Sequence, residues 1–169
     1  TRAGVCLLMG DVEALKPTVL IVSYGQNESF EGEPGLPAFR AGLADLLKVL
    51  DGTGARIVFV SPIRHEDLGR PLPDPAKHNS NLYLYVDTLR KIATERGYGF
   101  VDLFQKLEGA SPLTDNGIHL TPSGYWRAAE VIQQELGLEP KPLSLTLDIK
   151  RAAAKGEGVT LKDMKGQNN

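Results

Sequence analysis

Apolar residues in this chain gather in three short runs, and between the runs they recur every three or four positions. The runs are "TVLIVSYG" (18–25), "ARIVFVSP" (55–62) and "GFVDLF" (99–104), each of a length that suits a strand buried on both faces. The stretch "LPAFRAGLADLLKVLDGTG" puts Phe39, Leu43, Leu46, Leu47 and Leu50 on one helical face and ends in glycines. "NLYLYVDTLRKIATERG" does the same with Leu82, Tyr85, Val86, Leu89 and Ile92 before Gly97. In "TPSGYWRAAEVIQQELG", Thr121 is placed to cap a helix, Pro122 to occupy its first turn and Gly137 to close it. Strand and helix alternate, which predicts an α/β fold of three layers, α/β/α, around a mainly parallel sheet.

Both ends depart from this plan. "DVEALKP" reads as the end of a helix stopped by Pro17, and three strands are fewer than the five or so expected of an open doubly wound sheet. One or two strands are therefore expected to be missing on the N-terminal side. Beyond the last helix, "EPKP" is a proline-broken linker, and "LSLTLDIK" alternates Leu143, Leu145, Leu147 and Ile149 with polar residues. The expected division is a partial α/β domain over 1–138 and, over 139–169, a linker with either the start of a β-rich module or a tail packed on the sheet edge.

Composition narrows the function classes. With 169 residues, 41% hydrophobic and 24% charged, the chain matches one soluble globular domain. A net charge of -2 supplies no basic face to neutralise a phosphate backbone, so nucleic acid is not an expected partner. The one cysteine, Cys6, excludes an internal disulfide and any cysteine-rich metal site. No cofactor or metal is expected. The apolar runs fall well short of the roughly 20 residues of a membrane span, and "TRAGVCLLMG" lacks the layout of a signal peptide. Oligomeric state and compartment are not written in the residues.

Two polar corners remain. The first strand stops on Gly25 and is followed at once by Gln26, Asn27 and Glu28, at the carboxyl end where open α/β sheets place their sites. The second is "LTDNGIHLTPSGYW", where His119 has Asp115 four residues before it and Asn116 three before it. A histidine with an acid nearby has the composition of a general base with an orienting partner. Asp115-Asn116-Gly117 is equally a good turn sequence with no chemistry.

Taken in order, the "GQNE" corner at Gly25–Glu28 and the later "GIHLTPSGY" loop resemble the SGNH (GDSL-like) hydrolases over about Asp11 to Leu138. The likeness includes "VSP" at 60–62 and the "GFVDLF" strand before the last loop. It implies a flavodoxin-like fold and Ser/His/Asp acyl-enzyme chemistry on small acyl esters, acetyl groups of carbohydrates among them. By the same resemblance Asn27 becomes the oxyanion donor and His119 the base, with Gly25, Glu28 and Asn116 as binding or local hydrogen-bonding residues. Asp115 is taken as the orienter, because a carboxylate stabilises an imidazolium and an amide does not. The implied partner is a small-molecule or carbohydrate ester. Members of the family are often exported.

The family's Gly-Asp-Ser motif is not visible, nor is a second-motif glycine; Gly10-Asp11 is followed by Val12. Ser23, Ser29, Ser61, Ser80, Ser111 and Ser123 stand outside any G-x-S-x-G elbow. The other reading is a non-catalytic binding or scaffold module that keeps the fold. His65 and His78, on the borders of a proline-rich loop over 62–78, are expected to be ordinary solvated histidines, and Tyr125 and Trp126 to pack on the sheet. A metal held by the adjacent His65, Glu66 and Asp67 is rejected, since neighbouring side chains rarely converge on one ion.

Overall fold

A computed structural model describes residues 2–107, 109, 112–139, 143–148 and 153–160, with the side chains of 2–7 and 9 left aside. Helix α1 (Arg2–Leu15) leads into β1 (Val19–Val22); α2 (Leu36–Leu50), β2 (Arg56–Val60), α3 (Ala76–Arg96) and β3 (Gly99–Val101) follow. A short α4 (Leu103–Lys106) and then α5 (Pro122–Glu135) complete the α/β part. The three strands pair in parallel in the order β1-β2-β3, with Leu20 beside Ile57 and Phe59 beside Phe100.

The two faces of β2 explain the layering. Ile57 and Phe59 enter a core with Val22 and with Phe39, Leu43, Leu47 and Leu50 of α2 and Tyr85 and Leu89 of α3. Val58 and Val60 point the other way, onto Val101, Leu103, and Ala128 and Val131 of α5. Alternation along one strand thus fills both helical layers, which is why the run reads as continuously apolar. At β1 the alternation is only half used: Val22 is buried and Ile21 is 63% exposed. Within the described residues β1 is an edge strand whose second face is uncovered.

Caps fall where the side chains predict. Thr121 Oγ1 accepts the Gly124 N–H, with Pro122 opening α5. Gly97, at φ 67°, ends α3 and donates to the Ala93 carbonyl. Helix α3 starts at Ala76, six residues before Leu82, the first apolar position used to place it, because its first turns are exposed or half-exposed and lack a helical stripe. The loop expected over 62–78 is shorter for the same reason.

Two expectations fail on α5 and beyond. Tyr125 and Trp126 are 65% and 57% exposed rather than packed on the sheet, since the buried face of α5 is Gly124, Ala128 and Val131 and residues one and two beyond Gly124 face away from it. Strand β4 (Ser144–Asp148) pairs antiparallel with β5 (Ala153–Glu157) in a sheet of its own, so it does not extend the edge of the first. Leu145 and Leu147 are exposed, so the period-2 pattern is present without the burial it suggests. Ile149 lies outside the described residues, as does Ser111.

Candidate active site

The turn after β1 is closed by its own carboxylate. Glu28 Oε2 accepts the Gly25 N–H at 3.0 Å, and the Ser29 N–H reaches the Gly25 carbonyl at 3.0 Å. Strand β1 ends at Val22, and Gly25, three residues on, sits at φ 108°, a conformation that favours glycine and turns the chain there. The turn leaves Asn27 exposed at the head of a 3-10 turn (Glu28–Glu31), with no capping bond from its side chain.

The loop after β3 is held from outside. Thr114 and Leu120 form an isolated antiparallel bridge, so residues 115–119 make a closed excursion between them. Glu66, on the loop after β2, anchors its base: its carboxylate accepts the Leu113 N–H at 2.8 and 3.0 Å, the Thr114 N–H at 2.7 Å and the Thr114 hydroxyl. Its own N–H donates to the Gly117 carbonyl at 2.8 Å. A Cβ on Gly117, at φ 90°, would stand 3.0 Å from the Glu66 carbonyl oxygen, so glycine is needed for both conformation and closeness. The sequence suggests no role for Glu66 beyond the rejected metal site. Its carboxylate is committed to this loop, and its partners lie 47 and 48 residues away, beyond any local signal.

Within the excursion the side chain that reaches the His119 ring is that of Asn116 and not that of Asp115. Asn116 Nδ2 lies 2.9 Å from His119 Nδ1. The Asp115 N–H pairs with the His119 carbonyl at 3.0 Å, which sets the two residues across from each other along the backbone. The Asp115 side chain is exposed and makes no hydrogen bond or ion pair among the described residues. In this turn the residue three before the histidine, and not the acid four before it, is the one that reaches the ring.

Since β2 lies between β1 and β3, the two corners are not on neighbouring strands. The loop after β2 fills the gap. A cavity of about 490 Å³ is lined by Phe30 from the 3-10 turn that follows the first corner, His65, Glu66 and Pro73 from the middle loop, and Asn116 and Ile118 from the last. Asn27 and His119 flank this cavity in sequence without themselves lining it, and both are exposed.

His65 and His78 are a stacked pair rather than two solvated rings. Their centroids lie 4.3 Å apart, and Phe30 stacks on His78 at 4.1 Å. Burial, then repulsion from His78, pushes the His65 ring down to about 4, so it is neutral at physiological pH. Burial also lowers His78. Asn79 clasps the His65 backbone, accepting its N–H at 2.9 Å and donating to its carbonyl at 2.8 Å. No helical or strand pattern signals this arrangement.

Serines near histidines are scarce. Ser29 Oγ lies 3.3 Å from His78 Nε2, yet Ser29 is fully buried and gives its proton to the Gln26 carbonyl at 2.6 Å. Ser61, also buried, donates to the Pro62 carbonyl and accepts the Phe104 N–H, tying β2 to α4. Both hydroxyls are structural.

The family model of the GDSL-like lipases/acylhydrolases matches residues 3–127. Among solved structures the chain is similar to a gut microbial diltiazem-metabolizing enzyme, at 20% identity and a TM-score of 0.57 over 95% of this chain and 42% of that one. It is similar to an acetyl xylan esterase from Geobacillus stearothermophilus, at 20% identity and a TM-score of 0.64 over 82% of this chain and 68% of that one. A peptidoglycan O-acetylesterase matches at 20% identity and a TM-score of 0.55, over 71% of this chain and 37% of that one. Such identities speak for a shared α/β/α fold, and this chain spans 42% of the first of these structures. No curated protein matches the chain.

Proposed function

The chain belongs to the GDSL-like lipase/acylhydrolase family, and from that premise we propose that it serves the hydrolysis of small acyl esters, acetyl esters of carbohydrates foremost. The observation that carries the reading is a cavity to which Phe30, two residues past the Gly25–Glu28 corner, and Asn116, Gly117 and Ile118 of the loop after β3 all contribute. Its lining suits such a substrate. Phe30, Leu72 and Ile118 offer apolar contact, while Asp74, Lys77 and Asn81 offer partners to hydroxyl groups.

In this reading a serine hydroxyl attacks the ester carbonyl carbon while His119 takes its proton. The Asn27 amide donates to the oxygen that becomes negative, where a preorganised neutral donor is worth most. The alcohol leaves with the proton from His119, and water then releases the acid from the serine. Glu28 and Gly25 contribute by fixing the turn that presents Asn27. No serine of this chain is assigned as the nucleophile. The boundary near residue 138 belongs to the same proposal, with 139–169 as a separate segment bearing the β4–β5 hairpin.

A second reading, a module that binds without chemistry, is favoured by one observation: an amide stands where the base would be expected to have a carboxylate. Hydrolysis of p-nitrophenyl acetate separates the two. It should be measured on the 169-residue chain and on the longest reading frame that contains it, each as wild type and as His119→Ala. The esterase reading expects turnover in the hydrolytic form that falls at least roughly 10²-fold in the variant. Turnover untouched by His119→Ala, or none in either form, overturns it.

A further inference from the structure

We propose that Asn116 is a positioning residue that holds His119 as the Nε2–H tautomer, so that the ring offers a hydrogen-bond donor at Nε2 rather than a lone pair. The inference rests on the reading of His119 as the ring that faces the bound ester, and it determines what that ring can do there.

Hydrogen positions follow from the network around Asn116. Its Oδ1 accepts the Ile118 N–H at 3.1 Å and the His119 N–H at 2.9 Å. Both partners are backbone donors, so the carbonyl end of the amide must face them. Turning the amide over would set its NH₂ against two N–H groups and leave all of them unsatisfied. The NH₂ end is therefore the end that lies 2.9 Å from His119 Nδ1. A donor there requires a lone pair on Nδ1, and in a neutral imidazole the proton then sits on Nε2.

The consequence is chemical. A base that is to remove a hydroxyl proton through Nε2 needs its lone pair on Nε2 and its proton on Nδ1, the state a carboxylate partner holds. The amide holds the reverse. In this state Nε2 is a hydrogen-bond donor, suited to an acceptor such as the carbonyl oxygen of an ester or a carboxylate product, and proton abstraction by His119 proceeds only through the minor tautomer. Reaching the base form breaks the Asn116 contact, which favours Nε2–H by roughly tenfold or more. Asp115 does not compensate, since its side chain has no partner among the described residues. An aspartate at 116 would keep one oxygen on the two backbone N–H groups and offer the other as an acceptor to Nδ1–H.

Nitrogen-15 NMR of the histidine rings in the full 169-residue chain tests this directly. The expected result for the neutral His119 ring is an unprotonated-type shift on Nδ1 and an N–H-type shift on Nε2. Asn116→Asp should reverse the two, and Asn116→Ala should leave the ring with the mixed signature of free imidazole. Intact mass must show that Asn116 is unconverted in the wild type. A wild-type ring protonated on Nδ1, or a ring unchanged by both variants, overturns the proposal. Reversal in Asn116→Asp with no accompanying gain in ester hydrolysis upholds it and counts instead against His119 as the base.

Discussion

In the turn after β1, Glu28 Oε2 accepts one backbone N–H, that of Gly25; in the loop after β3, Asn116 Oδ1 accepts two, those of Ile118 and His119. Both corners thus use a side-chain oxygen to organise a tight reversal at the carboxyl side of a strand. They differ in what the other end of the side chain does. A carboxylate has only acceptors, so the first corner presents its neutral donor, Asn27, without conflict. An amide has an acceptor end and a donor end, and in the second corner the donor end faces the ring that should receive an acceptor. Preserving a turn and preserving the polarity of a catalytic contact are therefore separate demands on one residue. The second corner meets the first demand alone.

They differ also in what holds them. The first is closed by bonds within five residues, whereas the second depends on Glu66 across 47 residues. Glu66→Ala should produce the largest loss, since it strips partners from the Leu113 and Thr114 N–H groups and the Thr114 hydroxyl together. We expect about 3 kcal/mol in urea unfolding. A cost below about 1 kcal/mol would show that the last loop stands unaided.

Glycine substitutions sharpen the contrast. Gly25 and Gly117 both have positive φ, but a Cβ at Gly25 would meet only side-chain carbons at 3.5 Å and beyond, while one at Gly117 would press on the Glu66 carbonyl at 3.0 Å. Gly117→Ala should cost about 2 to 3 kcal/mol and Gly25→Ala about 1 to 2. Combined with Glu66→Ala, the Gly117→Ala cost should shrink, because the two share one contact region. Equal costs for the two glycines would remove the asymmetry.

Acid should reach the cavity between the corners through the stacked histidines. The His65 ring is held down to about 4 by burial first and by His78 second. An unfolded chain binds this proton near the ordinary histidine value of about 6.5, before the folded one does, so stability rises with pH across that window. Stability should fall as pH drops from about 6.5 toward 4, and His65→Gln should flatten that slope. A slope unchanged by the substitution would place its origin elsewhere. The smallest effect belongs to Glu28→Gln, expected to cost under about 1 kcal/mol because an amide oxygen still accepts the Gly25 N–H.

Much of this was legible in the sequence, for reasons that can be named. The three strands and the faces of α2 and α5 follow from periods of two and 3.6, and Thr121-Pro122 marks a helix start because its side-chain chemistry is local. Asn27 and His119 draw notice as polar residues in the loops past β1 and β3, and their roles belong to the proposal. What was not legible is non-local or rotational. Glu66 finds its partners through the fold, the His65–His78–Phe30 stack joins three loop positions, and Asp115 lost to Asn116 because of how a turn aims successive side chains. Charge alone pointed to Asp115; the direction of the side chain decided for Asn116.

The account turns on His119 being the base and Asn116 setting its proton. A double-mutant cycle of Asn116→Asp and His119→Gln, read as hydrolysis of p-nitrophenyl acetate by the longest reading frame that contains the chain, tests both at once. The account predicts that Asn116→Asp raises turnover by roughly 10²–10⁴-fold and that His119→Gln removes the whole gain. No gain from Asn116→Asp, or a gain that survives the loss of His119, would contradict it.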